Sequence, residues 1–282
     1  MIDKKIFKKF NLLPFSPSRL NTFKNFPCGF VMRYIYGYDF PANEKMVRGS
    51  AIEHGIYYFL LNYTKELRKD NNLQKYYKSF KNSFLYDEAK RSMFNYYDDG
   101  TKFVLDQDKA RKERLMLEPS FDIALNCLLD DNITFKGSEF VTSQMEVETE
   151  ILGIPFKGYV DFVFESDNLV TVIDLKSKSR LQKNRSDILQ QAIYKKALRE
   201  KYKGKAVDVS MLIVTPKKYE VVDILNTEKE MKEIEMSLIS CANMMKICKT
   251  KDNIASLITP NLDDWYWSDQ DKALARQDIW GI

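Results

Sequence analysis

The chain has 282 residues, 44% hydrophobic and 30% charged, with 44 Lys and Arg against 40 Asp and Glu for a net charge of +4 at pH 7. That length fits one large α/β domain, or a catalytic core carrying a sizeable helical addition. No apolar run approaches the roughly 20 residues that span a bilayer, which excludes a membrane role from the reading, and near-balanced charge leaves any nucleic-acid binding to the distribution of cations rather than to their sum. The first residues, Met1 to Lys9, hold basic groups but no apolar stretch and no small-residue cleavage site, so an intracellular protein is expected. Cys28, Cys127, Cys241 and Cys248 are scattered without a CxxC pair, which points to reduced thiols rather than a zinc site or a disulfide framework.

In chain order, Ser16-Pro17-Ser18 is an N-cap with proline near the first turn, ahead of a run bearing Leu20, Phe23, Phe30 and Tyr34. A second helix is predicted from near Ser50, because Ile52, Ile56, Phe59, Leu60 and Tyr63 recur at helical spacing. Further aromatic-rich helices reach about Leu129. Near Glu139 the period changes: Gln144 to Ile151 alternates as a half-buried strand, and Gly153-Ile154-Pro155 turns the chain. Phe156 to Glu165 alternates again, with Phe156, Val160, Phe162 and Phe164 on one face and Asp161 on the other. Leu169 to Lys176 is β-branched and apolar, as an inner strand should be. A helix from Ser186 or Asp187 to about Lys201 follows, then strands Val207 to Val214 and Tyr219 to Leu225, then a helix from Thr227 to about Cys248. One domain is expected over 1–282, with 1–135 a mainly helical lobe, 136–226 an α/β core, and 227–282 a C-terminal helix and aromatic tail.

On a strand, residues two apart share a face, so Asp174 and Lys176 project together while Ile173 and Leu175 pack the other way. If the strands bearing Asp161 and Asp174 are neighbours, both carboxylates reach one point, as a hard cation such as magnesium requires. The competing reading is a solvated sheet edge, where acids and lysines are common.

Gly158-Tyr159-Val160-Asp161-Phe162 followed by Val172-Ile173-Asp174-Leu175-Lys176-Ser177 resembles the hGhhDhh…hhDhKT pattern of RecB-type PD-(D/E)XK nucleases. Gln190 and Tyr194 resemble that family's QxxxY element. Gly49 to His54 resembles the helix that supplies a further metal ligand: a GxxxE register favours Glu53, and a GxxxH register leaves His54 as the alternative. Ser16 to Cys28 resembles the SxSRLxxFxxCP opening of the RecB, AddB and CRISPR-adaptation group, with its last two residues reversed. Some members join such a cysteine to three others around an iron–sulfur cluster. Only Cys241 and Cys248 lie near the end here, so no cluster is expected.

The resemblance implies an α/β fold, a central mixed sheet flanked by helices as in restriction endonucleases, with an N-terminal helical lobe. It implies one or two Mg2+ or Mn2+ ions held by Asp161, Asp174, the Leu175 carbonyl and Glu53. Lys176 would assist attack, and Gln190 and Tyr194 would shape the site. Lys178, Arg180, Lys183 and Arg185, continued by Lys195, Lys196 and Arg199, form a local basic cluster suited to a phosphate backbone. The activity expected is that of a metal-dependent exodeoxyribonuclease acting on single- or double-stranded DNA ends in recombination or degradation, of phage type, with a recombination or replication protein as a further partner. The alternative is a catalytically inactive fold serving as a DNA-binding or assembly subunit. Trp265, Trp267 and Trp280 suit base stacking, partner docking or plain packing.

Overall fold

The alternation between 139 and 165 folds as a hairpin. Strands β1 (Glu139–Ile151) and β2 (Ile154–Glu165) pair antiparallel around Leu152 and Gly153, whose φ angles of 53° and 85° are the left-handed pair that a tight hairpin turn demands. The apolar run becomes β3 (Leu169–Ser177), antiparallel to β2. Helix α8 (Arg185–Lys201) then carries the chain across to β4 (Ala206–Val214), parallel to β3, and β5 (Tyr219–Asp223) closes the edge antiparallel. The sheet is five-stranded and mixed, in the order β1-β2-β3-β4-β5. A parallel pair needs a long crossover, and α8 is that crossover. The structure, a computed structural model, describes residues 1–38, 42–67, 80–81, 83–104, 106–129, 138–248, 250–262 and 269–281.

The remaining helices are α1 (Lys5–Lys9), α2 (Pro17–Asn25), α3 (Pro27–Phe30), α4 (Glu44–Leu67), α5 (Phe84–Gly100), α6 (Gln107–Arg114), α7 (Leu117–Leu128), α9 (Glu228–Ile247), α10 (Lys251–Ser256) and α11 (Asp269–Ala275). Three of the boundaries that differ from the sequence expectation have a local reason. The first helical run breaks at Pro27, which has no N–H to continue α2. Helix α4 begins six residues before Ser50, because the Asn43 side chain accepts the amides of Lys45 and Met46 at 3.1 and 3.0 Å as an N-cap. Strand β5 stops at Asp223, since the carbonyls of Ile224 and Leu225 accept from the Lys195 ammonium instead of from a strand.

Three cores hold these layers. One sheet face, with Phe162, Phe164, Ile173, Leu175 and Leu212, packs against α4, α5 and α7. The other, with Val147, Val163, Val172 and Val209, packs under Tyr194 and Ala197 of α8. The third core joins α1–α3 to α9–α11 and to Ile151, Ile154 and Phe156 at the hairpin end. The helices before β1 are thus divided between two cores. Val160 belongs to the α8 core while Phe162 and Phe164 belong to the other, so the single-face alternation predicted for β2 breaks at Asp161. Among the described residues, no helix is long and apolar enough to cross a membrane.

Arg48 locks α4 to the sheet. Its guanidinium, 2% exposed, pairs with buried Glu113 of α6 and donates to the Ser177 carbonyl at the end of β3 at 3.1 Å. Breaking one partner of a buried pair strands the other charge, which costs about 3–5 kcal/mol, whereas replacing both by apolar groups is often neutral. Arg48→Met is therefore expected to lose about 3–5 kcal/mol in urea unfolding, and Arg48→Met with Glu113→Leu to recover most of it. A double variant no more stable than the single one would refute this account of the pair.

Candidate active site

The site is a fork in the sheet. The β2–β3 ladder runs from Glu165–Val170 to Phe162–Ile173 and ends there, while β3 stays paired with β4 as far as Ser177–Val214. Asp161 and Asp174 are the next residues on the two diverging strands. The Leu175 amide points into the gap and donates to Asp161 Oδ2 at 2.8 Å, so a side chain takes the bond that a continued ladder would have made. In an extended strand a residue's N–H and C=O point to the same side. The Leu175 carbonyl therefore faces the fork as well.

Two further elements reach this point. Glu53, on α4, and Asp161 are bridged by the Gln144 side-chain amide, which donates to Glu53 Oε1 and, at 3.2 Å, to Asp161 Oδ1. Gln144 lies opposite Asp161 in the β1–β2 register, between the pairs Ser143–Phe162 and Met145–Val160, and takes a left-handed φ of 49°. Strained non-glycine backbone of this kind costs about 1–3 kcal/mol and gathers at functional sites. Lys176 Nζ lies 2.7 Å from Asp174 Oδ2, an ion contact rather than a directed hydrogen bond.

Burial, together with the charges of Asp174 and Glu53, pushes the Asp161 carboxyl well above the usual carboxylate range. Glu53 is raised too, by burial first and then by Asp174, against the hydrogen bond from Gln144. Burial would lower Lys176, but Asp174 and Asp161 outweigh it and hold the ammonium protonated beyond the ordinary lysine value. The cluster is thus rich in anionic oxygen and short of countercharge. Among the described residues no three acidic, histidine or cysteine side chains already close into a cage. The Gln144 amide lies between Glu53 and Asp161, and the Lys176 ammonium lies against Asp174, where a cation would compete with them. An all-oxygen set with unbalanced negative charge fits a hard divalent ion.

Helix α8 backs the fork. Gln190 Nε2 donates to the Tyr194 hydroxyl at 2.8 Å, and Tyr194 is close enough to feel the charges of Asp174, Lys176 and Asp161. Gly158 makes this approach possible, because a Cβ there would stand 2.6 Å from the Tyr194 ring. His54, one residue beyond Glu53, turns away: its Nε2 lies 3.0 Å from Ser92 Oγ and its ring stacks on Tyr96 of α5 at 4.8 Å. Gly55 lets the two helices close, since a Cβ there would lie 2.8 Å from Met93 Cβ. Between α4, α5 and β1 a cleft of about 560 Å³ opens, with Glu53 and Gln144 in its lining.

The basic cluster is largely paired in place. Lys178 meets Asp187 at 2.7 Å, Lys183 meets Glu220 at 2.6 Å, and Arg185 meets Glu230 and Glu233, each at 2.6 Å. Arg180 is exposed and has no ion-pair partner among the described residues. Lys195 does not continue the cluster: it is 4% exposed and spent on the Ile224 and Leu225 carbonyls, and Lys196 pairs with Glu200. Cys28, Cys241 and Cys248 are packed in the core that joins the two ends of the chain, and Cys127 in the helical core; burial pushes the Cys28 thiol up to about 12. The Trp280 indole donates to the Ala255 and Ile258 carbonyls at 2.9 and 3.1 Å, so its polar edge is used internally, while Trp265 and Trp267 lie outside the described residues.

A family model described as the PD-(D/E)XK nuclease superfamily matches residues 14–253, a span that includes α4, the fork and α8. No curated protein matches the chain. A solved structure titled "Crystal structure of SSO0001" is similar at 16% identity, covering 61% of this chain and 78% of that one, with a TM-score of 0.31.

The raised Asp161 and Glu53 carboxyl groups make the fold pH-sensitive. A folded pKa above the unfolded one stabilises the protein below the unfolded value of about 4, and that stability is lost as pH rises through the folded value. Asp161→Asn keeps an acceptor for the Leu175 amide and removes the charge. In chelator at pH 8 it should melt a few degrees above the wild type, about 2–4 °C per kcal/mol, with the gap narrowing toward about pH 5. Manganese should raise the wild-type melting temperature and leave Asp161→Asn unmoved; identical melts in chelator at pH 8 would contradict the electrostatic picture. At the back of the site, Gly158→Ala should cost about 1–3 kcal/mol by overpacking against Tyr194, and Tyr194→Phe should not relieve it, because the ring carbon is the nearest atom.

Proposed function

The chain belongs to the PD-(D/E)XK nuclease superfamily, and on that premise we propose that it is a divalent-metal-dependent exodeoxyribonuclease, hydrolysing phosphodiesters at DNA ends. The observation that carries the reading is the fork: Asp161 and Asp174 where two strands part, Lys176 against Asp174, and Glu53 brought to the same point from α4.

Asp161, Asp174, the Leu175 carbonyl and Glu53 are the groups that would hold one or two magnesium or manganese ions. A divalent ion bound there supplies Lewis acidity to the phosphodiester and makes water a competent nucleophile near neutral pH. Lys176, kept protonated by its acidic neighbours, serves as a hydrogen-bond donor and countercharge at the attacked phosphate rather than as a base. Tyr194 and Gln190 hold the back wall of the fork and fix where Asp174 and Lys176 sit. His54 is the less favoured ligand, since its ring is turned to Ser92 and Tyr96.

The loop after β3 adjoins the fork, and Lys178, Arg180, Lys183 and Arg185 would follow the DNA backbone from there. Their ion pairs do not forbid this, because partly exposed pairs are worth only about 0–1 kcal/mol and exchange for phosphate readily. A cleft leading away from the fork, and the lack of a recognisable sequence-reading module, favour attack at strand ends over site-specific cutting.

Purified protein incubated with end-labelled linear DNA and with closed circles, in magnesium, manganese or chelator, tests this directly. Linear DNA should be degraded only with metal, and circles should persist. Asp174→Asn, Lys176→Ala and Glu53→Gln should each lower the rate on the order of 10²–10³-fold or more. A folded protein inert toward every substrate would sink the enzyme reading, and rapid loss of circles would convert it to an endonuclease.

A further inference from the structure

The cleft beside the fork has a composition of its own. On α4 its wall is Ser50, Glu53, His54 and Tyr57, spaced i, i+3, i+4, i+7 so that all four share a helix face. Across it stands Tyr96 of α5, 43% exposed and already stacked on His54 with an interplanar angle of 24°. Among the described residues that line it there is no lysine or arginine, and Glu53 is the one acidic group. Beyond Tyr96 a second hollow of about 620 Å³ continues the path, sharing Ser50 and Tyr96 with the first and floored by Met46 and Val47, with Asp99 as its charged group.

Little along this path draws in a polyanionic backbone: the acidic groups of the two hollows are Glu53 and Asp99, Lys102 is already spent on Asp99 at 2.7 Å, and a metal held with the help of Glu53 would draw the phosphate to the fork rather than along the cleft. A nucleobase suits the path: it is neutral, and base–aromatic stacking is a large, sequence-tolerant source of affinity. Inside a duplex both faces of a base are covered, and a terminal pair that leaves one face open brings its partner strand with it, so a single base lying on Tyr96 within the cleft is an unpaired one. Resting on the nuclease reading of the fork, we propose that the His54–Tyr96 stack is the binding site for an unpaired nucleobase of the substrate strand. The adjoining phosphate is placed at Asp161, Asp174 and Lys176, and the next base passes Tyr96 into the second hollow. The substrate class is then a single-stranded or frayed DNA end, recognised by stacking without base identity.

The test uses the full-length protein and phosphorothioate-protected oligonucleotides carrying 2-aminopurine near one end, with binding followed by anisotropy and stacking by fluorescence quenching in manganese. Wild-type protein should quench the probe and prefer single strands to blunt duplexes. Tyr96→Ala should weaken single-strand binding about tenfold and abolish the quench, while Tyr96→Phe, which keeps the ring, should stay within about twofold of wild type. Because Tyr96 is partly exposed on a helix surface, unchanged thermal melts would exclude misfolding as the cause. If Tyr96→Ala binds and quenches like wild type while the wild type degrades linear DNA, the stacking site is wrong and the nuclease reading stands. A wild type that neither binds nor cuts any DNA removes both.

Discussion

Placement of the candidate site depends on one buried cation. Arg48 reaches from α4 to the last carbonyl of β3 and to Glu113 of α6, with almost none of its surface open to water. An uncompensated guanidinium in that position is so costly that α4, α6 and β3 are held in one arrangement. Glu53 follows five residues later on the same rigid helix, about 7.5 Å along its axis, while Lys176 precedes the anchored Ser177 on the strand. The distance between the carboxylate from the helix and the groups on the sheet is therefore set by a contact that takes no part in the chemistry.

Against that fixed frame the sheet is opened deliberately. Ending the β2–β3 ladder at Phe162–Ile173 forfeits backbone bonds, and the fork fills with carboxyl groups that burial first, and mutual repulsion second, raise at Asp161 and Glu53. Three internal contacts limit the cost: the Leu175 amide on Asp161, the Gln144 amide between Asp161 and Glu53, and the Lys176 ammonium on Asp174. All three are donors or a cation set among carboxyl oxygens, so they mark where the fork calls for positive charge.

Much of this was legible in the sequence because it follows from period and spacing. Two-residue alternation located β1 and β2, the β-branched apolar run located β3, and the i, i+2 relation put Asp174 beside Lys176. The four-residue step from Gln190 to Tyr194 set up their hydrogen bond. Other features escaped because they depend on contacts far apart in the chain. Arg48 stands in the recognisable Gly49 segment, yet nothing local says that Glu113 will be its partner. Gln144 looks like an ordinary polar strand residue; only its register opposite Asp161 and its left-handed backbone mark it. The basic residues after β3 read as a free track, although their partners Glu220, Glu230 and Glu233 come from β5 and α9, and Lys195 reads as solvent-facing although it is buried on two carbonyls. The change of core at Asp161 also defeats simple alternation, since the period holds only while the ladder does.

The core that joins α1–α3 to α9–α11 has a temporal consequence. Tyr36 bonds Asp252 across 216 positions of sequence, Tyr38 bonds Asp278 across 240, and Lys9 reaches the Cys248 carbonyl across 239. Closing loops of that length carries an entropic cost before any contact rewards it, and chains dominated by such separations fold slowly. On the ribosome, the apolar sides of the earliest helices emerge long before the segment that covers them. Leu189, Ala192 and Ile193 of α8 stay uncovered for the same interval, because they belong to that core. The helix that backs the fork is thus seated on both sides only once α9 to α11 have been made, so the fork gains its full support later than the strands that form it.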